Sequence, residues 1–298
     1  MKKLATIIII LVSLTACGPR LIYHHLDWLI PWYVGDYISL DSDQKNMLEV
    51  RLSKLLDWHC RTQLPTYAVT LRGLGRDLAH SADPVDAATL QAYHTSILAL
   101  WEGLLQQIGP DITAILATAS DDQIRELFDN LTKQNQKFRK NYADLAPDEL
   151  IQNRQKRMLK RLKYWISDLI PEQRQALSDW SLKLEPIAEQ WVQNREVIQA
   201  EARRLLDSRD DNPEFRSDMQ GLIMHPENMR SAAYQRKIDI NTGITLKLLL
   251  QLDQMLTEDQ RSHLLGRIES LAADFDTLSC DPETLPKPTF DEKKPSGN

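Results

Sequence analysis

Glycine is scarce in this chain, at 10 of 298 residues. Asn-Gly and Asp-Gly pairs are absent, and no stretch alternates Val, Ile or Thr with polar residues between such turns. A sheet protein of this length needs those signals, so an all-β or α/β architecture is excluded. The signatures of catalysis and cofactor binding are also missing. There is no His-Glu-x-x-His, no Cys-x-x-Cys, no Gly-rich phosphate loop and no Gly-x-Ser-x-Gly. The paired carboxylates Asp121/Asp122 and Asp210/Asp211 sit at a helix start and in a turn, not in a convergent acid–base pattern. His24 and His25 are adjacent and so cannot share a helix face; His59, His80, His94, His225 and His263 are scattered. No catalytic residue, metal ligand or cofactor is therefore assigned, and the chain reads as a non-enzyme. Net charge is only −6, which gives no electrostatic reason to expect nucleic acid. Beyond the first residues no apolar run is long enough to cross a membrane.

What is present begins at the N-terminus. Lys2 and Lys3 form a positive n-region, and Leu4 to Leu14 form a short apolar h-region. That order is a secretory signal rather than an anchor helix. It ends Leu14-Thr15-Ala16-Cys17, which resembles the lipobox of bacterial lipoproteins. The resemblance implies cleavage after residue 16 and acylation of Cys17. More than one acyl chain is needed for stable anchoring. Gly18, in place of an inner-membrane-retaining Asp, points to the outer membrane with the body facing the periplasm.

Only Cys60 and Cys280 remain. In an oxidising compartment two leftover cysteines usually pair. They lie near the two ends of the folded region, so a disulfide would close a long loop. A redox or metal site is the alternative, disfavoured by the spacing.

Helical periodicity dominates. Leu150, Ile151, Met158, Leu162, Trp165 and Ile166 recur at three- and four-residue steps, and Ile244, Leu248, Leu249, Leu252 and Met255 do the same. The pattern predicts an all-α, antiparallel, bundle-like domain of long and short helices over 40–280. Before it come a signal peptide (1–16) and a lipidated aromatic lead-in (17–39). After it comes a Pro-rich tail (281–298) too polar to bury a core. Asp83-Pro84 predicts a helix start with Asp83 as N-cap, and Asn212-Pro213 and His225-Pro226 predict breaks. Pro186, inside a periodic stretch, predicts a kink rather than an end.

One local pattern recurs. Leu256-Thr257-Glu258-Asp259-Gln260 is the cleanest copy, and Leu40-Asp41-Ser42-Asp43-Gln44 is close to it. Leu169-Ile170-Pro171-Glu172-Gln173 keeps Leu and Gln but has an Ile that cannot cap. Ala119-Ser120-Asp121-Asp122-Gln123 keeps cap and Gln without the Leu, and Leu145-Ala146-Pro147-Asp148-Glu149 ends in Glu. Thr or Asp at N-cap with Gln at N3 is a capping box, and the preceding Leu can act as a hydrophobic staple. Helix initiation explains each copy taken alone. The set resembles the LTxxQ motif of the Spy/CpxP group of periplasmic proteins. That group comprises small all-helical dimers that bind unfolded clients or sense envelope stress. Gln44 to Gln123 and Gln173 to Gln260 are similarly spaced, and the chain is about twice the length expected of that group, compatible with two related helical halves.

A second resemblance covers nearly the whole mature chain. Tyr23-His24-His25-Leu26-Asp27-Trp28-Leu29-Ile30 and Pro31-Trp32-Tyr33-Val34, followed by the Leu40-Asp41 helix start, are similar to the opening of an uncharacterised lipoprotein family of gammaproteobacteria. It implies a domain of unknown function.

Two surfaces invite a role. Trp28, Trp32, Tyr33 and Tyr37 follow the anchor closely. Aromatics favour the membrane interface, but Tyr33 to Tyr37 runs directly into the first capped helix, which favours packing of the block into the body. Arg154, Arg157, Lys160 and Arg161, with Lys156 and Lys163, make one helix basic, and Lys133, Lys137, Arg139 and Lys140 precede them. This is either a solvated face or a surface for an anion or acidic partner. The expectation is a membrane-anchored periplasmic lipoprotein that binds envelope proteins in a chaperone-like way. An assembly adaptor with one fixed partner is the alternative, and a hydrolase of envelope polymers is a third possibility.

Overall fold

Helix starts govern the architecture. In the computed structural model, residues 19–79 and 85–280 are described. The signal segment, Cys17, Asp83-Pro84 and the tail 281–298 lie outside the described residues. Among the described residues every regular element is helical and there is no strand. Two short helices, α1 (Pro19–Tyr23) and α2 (Leu26–Gly35), lead in. Next comes a rod of α3 (Ser42–Trp58), a π-turn (His59–Gln63) and α4 (Leu64–Leu78). The long α5 (Ala87–Leu116) and α6 (Asp121–Phe138) follow, then a second π-turn (Arg139–Ala143) and α7 (Pro147–Ile166). The remainder is α8 (Pro171–Lys183), α9 (Ala188–Asp207), α10 (Phe215–Met224), a 3₁₀ turn (Pro226–Met229), α11 (Ala232–Gln254) and α12 (Glu258–Leu278).

Two proline expectations need correction. Pro186 ends a helix instead of kinking one: α8 stops at Lys183 and α9 begins at Ala188. Leu184 is already extended, and Asn241 clamps the released chain through Glu185 N–H to its Oδ1 (2.9 Å) and Nδ2 to Glu185 O (3.0 Å). Those side-chain bonds substitute for the helical ones a proline cannot support. The N-cap of α5 is Asp86, not Asp83; its carboxylate accepts from Thr89 N–H at 2.7 Å. Asp83 was one acid too early, because Asp86 has the same chemistry and lies directly before the apolar run.

Three separate apolar clusters form the interior. One joins Ile38, Ile124, Phe128, Leu205, Phe215 and Met219, chiefly from α6, α9 and α10. A second joins Leu64, Ala68, Leu271, Ala272 and Phe275 of α4 and α12 around Cys60. A third joins Leu162, Leu177, Trp180, Leu248 and Leu252 of α7, α8 and α11. Each fully buried Leu, such as Leu64 or Leu248, contributes about 1.5–3 kcal/mol. With no single core, links between clusters matter more than usual.

Cys60 and Cys280 are bonded, with Cα atoms 5.2 Å apart across 220 residues of sequence. Cys60 lies in the first π-turn, where one extra residue turns its side chain toward the end of α12. A second link is the pair Asp253–Arg261 at 2.9 Å, nearly buried on both sides. Arg261 also donates to Leu78 O (2.6 Å), and Asp253 accepts from Val85 N–H (3.2 Å). One ion pair at the α11–α12 turn therefore holds the end of α4 and the approach to α5.

Candidate functional site

The recurring motif proves to be a reciprocal structure. Gln44 Nε2 donates to Gln123 Oε1 (3.1 Å), and Gln123 Nε2 donates back to Gln44 Oε1 (2.7 Å). Gln173 and Gln260 do the same, at 2.7 and 2.9 Å. Each Oε1 also accepts from the N–H of its own N-cap residue: Asp41 at 3.0 Å, Ser120 at 2.9 Å, Ile170 at 3.1 Å and Thr257 at 3.2 Å. Each Nε2 also donates to a carbonyl two residues before the partner's N-cap. Those carbonyls are Thr118 for Gln44, Ser39 for Gln123, Met255 for Gln173 and Asp168 for Gln260. A carboxamide has two acceptor sites and two N–H donors. All are used in all four copies, in the same pattern.

The motif therefore joins helix starts in pairs, α3 with α6 and α8 with α12. Neighbouring contacts follow the same relation. The rod helix after α3, namely α4, packs against α12 of the other pair; α9, which follows α8, packs against α6 of the first. Each half thus supplies the packing partner of the other half's last helix. The same relation between a glutamine pair and the helices that pack on it thus occurs twice.

Two copies depart from the full pattern. Ser120 and Gln123 lack the preceding Leu, yet Gln123 is the full partner of Gln44, and buried Ala119 takes the place of the Leu. The signal for them was the capping box itself, complete in the structure. Ile170 supplies no side-chain cap, as expected, but this copy is intact where it counts, because Gln173 still accepts from Ile170 N–H. Leu40, Leu169 and Leu256 pack onto the apolar clusters beside their motifs. Since every amide valence is spent internally, the glutamines themselves offer nothing to a ligand.

The basic helix is less available than its sequence suggests. Arg154 turns inward and donates to Leu184 O (3.0 Å), capping the end of α8 with its guanidinium, so it is not part of a free cationic face. Burial, and then Arg157, push its pKa down from the ordinary value. Arg157 stands over the Tyr142 ring, and Lys163 pairs with Asp168 at 2.7 Å. Lys160 and Arg161 remain on the surface. Arg139 pairs with Glu189 at 2.5 Å.

The aromatic lead-in divides in two. Tyr33 and Tyr37 are half-buried and share a hydroxyl–hydroxyl bond of 3.0 Å. Trp28 and Trp32 do not pack into the body: they are 56% and 61% exposed. The packing expectation fails for these two because the half-buried side of α2 is taken by Leu29, Ile30, Tyr33 and Val34.

A cleft of about 360 Å³ lies between α6 and α9. Arg203 stands over the Phe128 ring, and Asn135 Nδ2 donates to Gln199 Oε1 at 2.7 Å, while Asn135 Oδ1 is buried without a hydrogen-bond partner among the described residues. His59 is a largely buried imidazole in the first π-turn. It is wedged between the Tyr23 and Tyr67 hydroxyls (3.1 and 3.4 Å) beside the disulfide, and burial pushes its pKa down to about 4. Among the described residues no group of three or more His, Cys, Asp or Glu is placed to hold a metal ion.

No curated protein and no solved structure matches the chain. A family model matches residues 36–235, from just before the first capped helix to the start of α11. The chain belongs to that family, a family of unknown function (DUF6279).

Proposed function

We propose that this chain is a membrane-anchored lipoprotein of the periplasm, acylated at Cys17, that holds exposed segments of other envelope proteins without catalysis. The single observation that carries the reading is the fourfold Gln-centred helix start, paired into two units whose helices exchange partners. It matches, residue for residue at Leu256, Thr257 and Gln260, the motif of all-helical periplasmic client binders. A frame closed by amide pairs leaves outward helix faces free for contact. Large apolar side chains stand exposed on several helices: Val69 on α4, Ile97 and Leu98 on α5, and Ile240 on α11. Such side chains can meet apolar segments of unfolded chains at low specificity.

The test is suppression of aggregation. Near-stoichiometric protein should keep several unrelated unfolded proteins soluble. Failure with all of them, together with crosslinking in intact envelopes to one constant partner, would replace this reading with that of an assembly adaptor.

A further inference from the structure

Among the described residues the exposed large aromatics lie on the lead-in. Leu21, Trp28 and Trp32 are 49%, 56% and 61% exposed. At 100° per residue Trp28, Trp32 and Gly35 fall on one side of α2. Leu21, His24 and His25, in α1 and the turn that joins it to α2, are exposed as well. Between Leu21 and Gly35 the only Asp, Glu, Lys or Arg is Asp27. It points about a quarter-turn away from Trp28, whose backbone N–H its carboxylate holds at 2.9 Å.

The opposite side of this arm is fastened to the body. Arg20 pairs with Asp274 of α12 at 2.6 Å, and Tyr23 reaches His59. Tyr23 packs against the cluster around Cys60, and Val34 against the cluster of α6 and α9. The arm is therefore a fixed part of the surface, and its outward strip has no partner within the described residues.

The chain that precedes the arm says what covers the strip. Cys17 is two residues before Pro19, so even a fully extended connection places it within about 7 Å of the first helical residue. Upstream of Cys17 is the apolar run Leu4–Leu14 with Lys2 and Lys3. Tryptophan, with an apolar ring and one N–H, prefers the boundary between headgroups and acyl chains. Among the described residues no helix is long and apolar enough to cross a membrane, so contact of this arm would be parallel to the surface.

We infer that the Leu21–Trp28–Trp32 strip lies in the headgroup region of the bilayer that carries the Cys17 anchor. It thereby docks the helical body in one orientation against the lipid. The inference rests on the anchoring reading above, but it concerns a separate surface. Acyl chains tether, whereas the strip orients.

The experiment uses the full-length lipidated protein in vesicles of phosphatidylethanolamine and phosphatidylglycerol with bromine at shallow acyl positions. Tryptophan fluorescence should be quenched. The Trp28→Ser/Trp32→Ser protein should lose that quenching while keeping its thermal unfolding midpoint, since neither ring is buried. A Trp101→Phe protein, altered at a tryptophan of α5 outside the arm, should keep it. Equal quenching in the wild type and the double variant, or no quenching in the wild type, overturns the inference. So does burial of both tryptophans against a second copy in lipid-free protein. The mass of the mature N-terminus is measured in parallel. Acylated protein without quenching sinks the strip and leaves the anchor; quenching without acylation sinks the anchor and leaves the strip.

Discussion

The two glutamine pairs make the same bonds in different surroundings. Gln173 and Gln260 are buried, Gln173 completely. In the other pair Gln44 is buried but Gln123 is partly open to solvent. The caps differ in the reverse sense. Asp41 and Ser120 both accept from the N3 amide, and so does Thr257, but Ile170 cannot. The more buried pair is thus the one with the defective cap. The lesson is that the N3 carboxamide, which satisfies groups on two helices at once, is the indispensable part. The N-cap side chain serves only its own helix, worth about 1 kcal/mol. The pairs also differ in what lies at the far end of their helices. The end of α12 is stapled through Cys280 to the π-turn, whereas no disulfide holds α6.

Breaking that staple is the harshest way to separate the pairs. Replacing Cys60 and Cys280 with Ser is expected to lower stability by up to about 5 kcal/mol, given a loop of more than two hundred residues. Amide exchange should show α12 losing protection while the start of α6 keeps it. Simultaneous loss at both would mean that the pairs stand or fall together.

Gln173→Ala should cost about 4 kcal/mol and Gln44→Ala about 2 kcal/mol in urea unfolding. The first strands Ile170 N–H, Met255 O and the Gln260 amide in a buried site. The second leaves Asp41 still capping and Gln123 able to recruit water. Equal costs would show that depth is not what divides the pairs. Combining Gln173→Leu with Gln260→Leu should cost less than the sum of the two changes, because each alone strands the other.

Acid should weaken the stapled side selectively. The unfolded His59 imidazole takes up a proton below pH 6.5, the folded one only below about 4. Its folded pKa is depressed, so the unfolded state binds more protons between those values. Stability is then highest above pH 6.5, falls as pH drops from 6.5 through 4, and loses about 3 kcal/mol in all. A His59→Phe protein should show a shallower decline over the same interval. An unchanged slope would remove His59 as its cause.

The gentlest change repairs the defect. Ile170 has φ −73° and ψ 164°, and Thr257 has φ −69° and ψ 163°. Thr placed at 170 is therefore preset to cap, and Ile170→Thr should raise stability by about 0.5–1 kcal/mol in thermal unfolding. A loss of stability would mean that the packing of Ile170 outweighs a cap.

Much of this was legible in the chain because it depends on local chemistry. Asp41 and Thr257 cap where expected, since a capping box needs only four consecutive residues. The Cys60–Cys280 bond was readable from scarcity: two thiols leave one pairing. Arg154 and Trp28 were misread for a common reason. Whether an arginine on a basic stripe faces water or a neighbouring helix end, and which side of a short aromatic helix is taken, depend on elements far away in sequence. Pro186 also misled, because the clamp from Asn241 that makes a clean break affordable comes from a helix more than fifty residues later.

Glycine scarcity and three- to four-residue periodicity determined by themselves that the protein is helical, and the capping pattern placed Gln44, Gln123, Gln173 and Gln260 at helix starts. Only the tertiary structure decided that these glutamines face one another in pairs. A helix start can be read from its own residues, because its bonds close within one turn. A buried carboxamide has four valences, and one turn of helix satisfies only one of them. The other three must come from a second helix, and where that helix lies is a matter of packing.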